Sequence, residues 1–315
     1  MRRPPWPLLR ERLSAPYDTQ MSSPLTAPFP FWKMHGAGND FVVVETDALD
    51  VSDAAWGELA IEVCDRHMGV GADGLILVQP SKVADRKMRI FNADGSDGVM
   101  CVNGIRCFAK FSIDRGLVAA PDGRMTVETG PGVIPVQAFR AEDGSVARVQ
   151  VTAAVPDLTP AASGVAVERP APVLDLDVTV TDGQGDSTQQ VAIVSMGNPH
   201  AVQFIDGAPA DYQLSRIGPL MEHHPVFTQR INYEVVRVVD RAHIDMRVWE
   251  RGVGETMACG SGACAVVVAA HLRGEVDDRV DVRVPGGTLE IEWNGAGAVS
   301  LTGPAVRVFE SEWTR

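Results

Sequence analysis

The amino-acid sequence predicts an α+β protein of two quasi-equivalent domains that meet at a cleft. The chain has 315 residues, 45% of them hydrophobic and 22% charged, which is enough for two domains with a core each. Short strand patterns dominate and helices are few. Each half contains one lateral amphipathic helix and one helix that begins at a cysteine shortly after a methionine. This shared set of elements indicates a duplication at the scale of a domain.

The first half is predicted to contain four clear strands and two helices. Apolar runs bounded by turn residues predict strands at 41–45, 75–78, 88–91 and 124–129. The segment 52–67 has the 3.6-residue periodicity of an amphipathic helix, with Ser52 or Asp53 as its cap. A second helix is predicted from Cys101 to about Arg115, after the sequence MCVNG.

The second half repeats this mixture of elements. Strands are predicted at 173–180, 190–196, 231–239 and 243–249. A helix is predicted at 210–224, and another follows Cys259 in the sequence MACGSGACAVVVAA. A hairpin turns at 285–287, where Pro-Gly-Gly interrupts two strand patterns.

The composition excludes two classes of partner. The net charge of −13 disfavours nucleic acids and anionic membranes, because both bind clustered Lys and Arg. The apolar run 263–270 is among the longest and is far shorter than the roughly 20 residues that cross a bilayer. We therefore expect a small-molecule partner, with no nucleic acid and no membrane.

The first thirty residues are predicted to be a loose N-terminal extension. They carry arginines and repeated prolines but no apolar core of a secretory signal. Without an export signal we expect a cytoplasmic protein, in which the five cysteines are free thiols rather than disulfides. The cysteines are then available for chemistry.

The two cysteine-headed helices suggest a catalytic arrangement. Clefts between domains are common ligand sites, so Cys101 and Cys259 would face each other across a bound molecule if both helices point into the cleft. The N–H groups and partial positive charge of a helix N-terminus stabilise a thiolate and hold a carboxylate. The small residues at 103–104 and 260–262 let the backbone approach a ligand closely.

Two thiols on opposite faces of one carbon are suited to inverting a stereocentre. One thiolate removes the α-proton and the opposite thiol delivers a proton to the other face. We expect neither a cofactor nor a metal. Pyridoxal phosphate, the usual cofactor for this chemistry, needs a Schiff-base lysine, and none of the four lysines lies beside a phosphate-binding glycine loop. Cys64 and His67 have ligand-like spacing but no second pair.

Six ordered motifs resemble the diaminopimelate epimerase family. They are KMHGAGNDFVVVE (33–45), CDRHMGVGADGLILV (64–78), RIFNADGSDGVMCVNGIRC (89–107), MGNPHAVQF (196–204), MEHHPVFTQRIN (221–232) and VWERGVGETMACGSGACA (248–265). The resemblance runs in order from about Phe31 to the C-terminus and leaves only the extension outside. The resemblance implies two pseudo-symmetric domains, each a curved, mostly antiparallel sheet wrapped around a central helix, with the active site in the interdomain cleft. The domain limits that we expect are 31–145, completed by 305–315, and 146–304.

The resemblance also implies an activity and a set of site residues. The family epimerises LL- and meso-2,6-diaminopimelate without a cofactor, for lysine and peptidoglycan precursor synthesis, and we expect a homodimer. Cys101 and Cys259 match its catalytic acid and base. Its substrate contacts match Asn39, Asn92, Val102, Asn103, Asn198, Asn232, Glu250, Arg251, Gly260 and Ser261. His200 and Glu250 match the residues that tune the pKa values of the cysteines.

The implied residue types suit a substrate with an amino-acid head at each end. Arg251 can bind the distal carboxylate through two parallel hydrogen bonds, and asparagines supply neutral donors and acceptors. Amino acids that lack the distal head would leave these buried groups unpaired, and the site would reject them.

Two positions depart from the family pattern. Val102 replaces the usual glycine beside the first cysteine, and Gly74 stands where some relatives carry a glutamine that contacts substrate. The branched Val102 side chain raises a question about access to Cys101 and about substrate preference. Two alternatives stay open: a related two-cysteine proline or hydroxyproline racemase, and an inactive homologue that binds a ligand, for which Val102 is the only support.

Overall fold

The computed structural model describes residues 28–47, 49 and 51–314. Most of the predicted extension, residues 1–27, lies outside this described part, and the first strand already begins at Phe29. Within the described part, no helix is long and apolar enough to cross a membrane.

From residue 28 onward, the described N-terminal half contains eight strands and two α-helices. The strands are β1 (Phe29–Gly36), β2 (Asn39–Glu45), β3 (Gly74–Gln79), β4 (Arg86–Asn92), β5 (Asp97–Gly98), β6 (Arg124–Thr129), β7 (Gly132–Arg140) and β8 (Val146–Thr152). The helices are α1 (Asp53–Cys64) and α2 (Val102–Asp114).

The C-terminal half, described as far as residue 314, contains ten strands and two α-helices. The strands are β9 (Leu176–Asp182), β10 (Gly185–Ser195), β11 (Pro199–Phe204), β12 (Asn232–Asp240), β13 (His243–Glu250), β14 (Gly254–Thr256), β15 (Arg279–Val284), β16 (Gly287–Glu292), β17 (Ser300–Pro304) and β18 (Val306–Trp313). The helices are α3 (Leu214–Glu222) and α4 (Gly260–Leu272).

The pairing of the strands shows the duplication directly. In the first half β2 runs parallel to β3 and β4 runs parallel to β6, while the other described pairs are antiparallel. In the second half β11 and β12 are parallel, and so are β13 and β15. The antiparallel pair β8–β17 joins the two halves, and β18 returns to pair with β1. The predicted fold class is therefore confirmed.

One buried helix lies inside each half of the sheet. Helix α2 packs against strands of the first half, and α4 packs against strands of the second half. Helix α4 is buried on all sides because most of its residues are small and apolar, from Ala263 to Ala270. Every residue of α2 from Asn103 to Ile113 is buried, including the charged side chains of Arg106 and Lys110. A central helix in each sheet brings its N-terminus toward the contact between the halves.

The lateral helices are shorter than the sequence suggests. Helix α1 ends at Cys64 rather than at 67, because the chain turns where the Asp65 carboxylate accepts hydrogen bonds from the N–H groups of His67 and Met68. Helix α3 begins at Leu214 rather than at 210, since a 3₁₀ turn at Pro209–Asp211 precedes it.

Strand β8 contacts both halves. Val146, Val149 and Val151 pack into the core around α2, although the predicted boundary at 145 assigns them to the second domain. We propose that the N-terminal domain extends to Thr152.

Candidate active site

Cys101 is the N-cap residue of α2. Its backbone is extended, and its Sγ atom accepts a hydrogen bond from the Gly104 N–H at 3.4 Å. The thiol donates to Oδ1 of Asn39 at an S···O distance of 3.4 Å. This N-cap geometry is local, since a residue in extended conformation directly before a helix has its side chain beside the free N–H groups of the first turn.

Cys259 has the same position at the start of α4. Its backbone is also extended, and its Sγ atom accepts from the Gly262 N–H at 3.4 Å. The Ser261 hydroxyl lies 3.5 Å from the same sulfur atom. Cys259 is 6% exposed, whereas Cys101 is more accessible. The two cysteines are thus equivalent in backbone geometry but differ in exposure.

The two helix starts contact each other. Nδ2 of Asn103 lies 3.3 Å from Oδ1 of Asn39 and donates across the halves to the carbonyl of Ala258 at 3.2 Å. Ala258 directly precedes Cys259, so this hydrogen bond ties one cysteine-headed helix to the other. The Oδ1 atom of Asn103 is buried and has no hydrogen-bond partner among the described residues.

The Val102 side chain, which stands where the family has a glycine, lies between the two helix starts. Its Cβ and Cγ1 atoms lie 3.1 and 3.3 Å from the point where a Cβ on Gly260 would be. The side chain packs against the apolar cores of both halves. Val102 therefore fills the contact between the two helix starts.

A chain of hydrogen bonds extends from Cys259 into the core. The amide of Asn198 donates to the Ser261 hydroxyl at 3.2 Å, and Oδ1 of Asn198 lies 3.1 Å from Nε2 of His200. Nδ1 of His200 lies 2.7 Å from Oε1 of Glu234. Both His200 and Glu234 are 0% exposed. Because the carboxylate accepts from Nδ1, the hydrogen-bond partners fix the orientation of the imidazole ring.

Glu250 affects both cysteines. It accepts a short hydrogen bond from the Thr256 hydroxyl, and burial raises the pKa of its carboxyl group. Its negative charge also raises the pKa of Cys101 and of Cys259. One carboxylate thus acts on both thiols.

Burial raises the pKa of both thiols. For Cys101 the N–H groups of Gly104 and Asn103 act in the opposite direction without outweighing burial. The pKa of Cys259 lies well above its usual value because burial, then Glu250, and then Glu234 all disfavour the thiolate. A raised pKa makes the thiolate scarcer but more basic, which suits removal of a weakly acidic α-proton.

Asn232, Arg251 and Asn92 form hydrogen bonds with residues other than the two cysteines. Asn232 donates to the carbonyl of Pro199 at 2.8 Å and accepts from the Arg251 N–H at 2.9 Å. The Arg251 side chain is exposed and donates to the carbonyl of Gln229. Asn92 is exposed at the end of β4, where its amide donates to Ser96. No described hydrogen bond joins Asn92 to the cysteines.

Glu234 and Thr256 were missed by sequence reasoning. Glu234 is an isolated charge in the apolar strand sequence NYEVV, and such a residue in a buried strand signals a paired or functional carboxylate. Thr256 offers no comparable signal, because its role depends on the hairpin that brings β14 beside β13.

The fold and the paired cysteines define a class of two-domain α+β protein with one cysteine-headed central helix per domain. Solved structures with this fold include a PhzF-family phenazine biosynthesis protein of Bacillus anthracis, with a TM-score of 0.66, 17% identity, and coverage of 92% of this chain and 100% of that one. A hydroxyproline epimerase from Agrobacterium vitis has a TM-score of 0.64 and 15% identity, with coverage of 90% and 92%.

The chain belongs to the diaminopimelate epimerase family. The sequence model of that family matches residues 31–155 and 192–308. The chain is 45% identical over 283 residues to a diaminopimelate epimerase from Acetivibrio thermocellus, covering 90% of this chain and 97% of the relative. It is 47% identical over 288 residues to one from Desulforudis audaxviator, covering 90% and 99%. The predictions of the family and of an isomerase are confirmed.

Proposed function

We propose that this chain interconverts LL- and meso-2,6-diaminopimelate by a two-cysteine, cofactor-independent mechanism. The observation that carries the proposal is the pair of N-cap thiols, Cys101 and Cys259, at two helix starts that are tied together across the halves. The membership of the family supports the substrate, and the geometry supports the two-base chemistry.

In the proposed step, one thiolate takes the α-proton and becomes a thiol. The opposite thiol gives its proton to the other face of the same carbon and becomes a thiolate, so the total number of protons is unchanged. The reverse reaction exchanges the two roles. The free N–H groups at both helix starts stabilise the substrate carboxylate whose charge increases as the α-carbon loses its proton.

Polar groups near the cysteines fit the two heads of the substrate. The unpaired Oδ1 atom of Asn103 is a buried acceptor that suits an ammonium group. Asn39, Asn198 and Asn232 supply further amides, and Arg251 can bind a distal carboxylate. Asn92 would join this set only if its amide leaves Ser96 when substrate binds.

Hydrogen exchange tests the mechanism. In deuterated water the thiol that reprotonates the carbon carries solvent deuterium, because it is not the group that removed the substrate proton. Early meso product formed from the LL isomer should therefore be almost fully deuterated at the inverted carbon, while the remaining LL substrate stays unlabelled. Substantial protium in the early product would contradict two separate bases.

Matched alanine variants identify the thiols. Replacing Cys101 or Cys259 should abolish epimerisation, since each supplies one face of the reaction. Cys107 on α2 and Cys264 on α4 are the controls, because both are fully buried and burial raises the pKa of each to about 12. Their alanine variants should stay within about tenfold of the parent kcat/KM. Near-normal turnover of either N-cap variant would refute the assignment.

Proline and hydroxyproline serve as substrate controls. A site built for two amino-acid heads should turn them over at least about a hundredfold more slowly than diaminopimelate, because its distal polar groups stay unpaired. Comparable turnover would favour the proline-type racemase instead.

We also propose that the enzyme serves lysine and peptidoglycan precursor synthesis in the cytoplasm and acts as a homodimer. Strand β18 exposes Val306, Val308 and Phe309, an apolar set that supports an interface between two copies. Sedimentation of the chain and of Val308→Asp tests this, and a monomer at micromolar concentration in both would contradict it.

A further inference from the structure

Arg106 is a buried cation without an acidic partner among the described residues. Its side chain is 0% exposed. Nε donates to the carbonyl of Pro304 at 3.2 Å, and Nη1 donates to the carbonyl of Val102 at 3.2 Å. Nη2 is buried and has no hydrogen-bond partner within the part of the chain that the structure describes. Because a buried charge is costly unless it is paired, a guanidinium held only by two carbonyls calls for an explanation.

The guanidinium lies beside the first turn of α2. A Cβ on Gly36 would be 2.9 Å from Nη2 of Arg106 and 2.9 Å from the carbonyl oxygen of Asn103. A Cβ on Gly303 would be 2.9 Å from Cζ. Gly36 and Gly303 thus leave room for the Arg106 guanidinium. The guanidinium lies near the start of α2, where Cys101 is the N-cap residue.

The two cysteines have unequal electrostatic surroundings. Arg106 on α2 and Glu250 at the end of β13 act on Cys101 with opposite signs. Cys259 faces two carboxylates, Glu250 and Glu234 from β12. Oε1 of Glu234 is only 2.7 Å from the point where a Cβ on Gly262 would be, next to the N–H group that binds the Cys259 sulfur.

We propose that Arg106 is a positioning residue that makes Cys101, rather than Cys259, the thiol that ionises first. This inference rests on the proposed two-cysteine function. It implies that the free enzyme is poised for the isomer whose α-proton faces Cys101. After that turnover the thiolate is on Cys259, and proton exchange with solvent must reset the enzyme before it accepts the same isomer again.

The directions of the pKa shifts agree with this asymmetry. Burial raises the pKa of both thiols, and Glu250 adds to this effect at both. At Cys101 the positive charge of Arg106 acts against the increase, whereas at Cys259 the second carboxylate, Glu234, adds to it. The other titratable groups that face Arg106 are Cys107 on its own helix and Cys264 on α4. Burial raises the pKa of both thiols to about 12, so they are neutral near neutral pH and do not balance the charge.

Thiol alkylation tests the proposal without requiring turnover. The intact enzyme is treated with iodoacetamide across a pH series, and peptide mapping gives the alkylation rate of each cysteine. Only the thiolate reacts with iodoacetamide, so the pH at which each rate is half-maximal reports the pKa of that thiol. The accessibility of the thiol changes the maximal rate but not this midpoint. The Cys101 midpoint should lie below the Cys259 midpoint.

Neutral replacements of Arg106 should shift the pH midpoint of Cys101, and a charged replacement should not. Arg106→Met and Arg106→Gln should raise the Cys101 midpoint by roughly one pH unit, while the Cys259 midpoint moves by less than about 0.3. Arg106→Lys keeps the charge and should stay within about 0.3 of the parent at both sites. Glu234→Gln is the matched control on the other side, and it should lower the Cys259 midpoint only.

Several outcomes would overturn the proposal. One is a Cys101 midpoint that does not move in the neutral variants, and another is an equal shift at both cysteines. A shift in Arg106→Lys as large as in Arg106→Met, or unfolding of both neutral variants by circular dichroism, would assign Arg106 a structural role instead. Loss of the two-base labelling pattern in deuterated water would refute the epimerase mechanism. The pH midpoints of alkylation could still be measured, because they do not depend on turnover.

Discussion

Replacement of Gly260 by alanine should be harmful in this chain and harmless once Val102 is glycine. The new Cβ would lie 3.1 Å from Cβ and 3.3 Å from Cγ1 of Val102, whereas Cδ1 of Leu301 would be at an ordinary 3.5 Å. Carbon atoms prefer separations of about 3.5–4.0 Å, so one helix start must move by a few tenths of an ångström. The strain arises almost entirely from contact with Val102, so a second substitution at that position should remove it.

The close contact with Val102 sets the expected loss of stability in Gly260→Ala. Overpacking of a well-packed contact costs about 1–3 kcal/mol, and we expect Gly260→Ala to lower the free energy of unfolding by that amount. In the Val102→Gly background the same change should be neutral or stabilise by up to about 1 kcal/mol, because alanine loses less backbone entropy than glycine. The coupling free energy between the two positions is then about 2 kcal/mol.

Urea unfolding of the four proteins in this cycle measures the coupling, and kcat/KM on LL-diaminopimelate reports the site. Gly260 directly follows Cys259, so Gly260→Ala should reduce kcat/KM by about tenfold or more, and the double variant should recover most of it. Val102→Gly alone should change kcat/KM by less than about tenfold. A coupling below about 0.5 kcal/mol would show that Val102 does not set the spacing of the two helix starts.

Three further predictions concern the thiols and the carboxylate beside them. Because burial raises the pKa of Cys101 and Cys259, kcat/KM should rise about tenfold per pH unit below those pKa values, and a flat profile between about pH 6 and 8 would contradict this. Mild oxidation should join the two thiols and abolish activity, with recovery in dithiothreitol; peptide mapping that finds Cys64 in the bridge instead would count against their convergence. Thr256→Val removes the hydroxyl that lowers the pKa of Glu250, and we expect kcat/KM to fall by about tenfold and Thr256→Ser to restore it. Equal rates for the valine and serine variants would show that this hydrogen bond has no role.

The sequence alone determined the class of fold and the two helix starts at Cys101 and Cys259. Local patterns suffice for both: α4 is a run of small apolar residues, and an extended cysteine before a helix is an N-cap wherever that helix packs. The ordered motifs, being specific in sequence, also fixed the family. Strand β18 shows the limit of such patterns, because its side chains are almost all exposed and no apolar alternation predicts a strand.

Only the tertiary structure decided how the site is completed. That Val102 packs against Gly260, and that Glu234 lies behind His200, depends on contacts between residues more than thirty positions apart. The charge state of the site likewise depends on burial, and the burial of a polar residue cannot be read from the sequence. Arg106 has the same side chain as a surface arginine, but in the folded protein it is fully buried. The two cysteines look equivalent in sequence, and the unequal charges packed around them make them different.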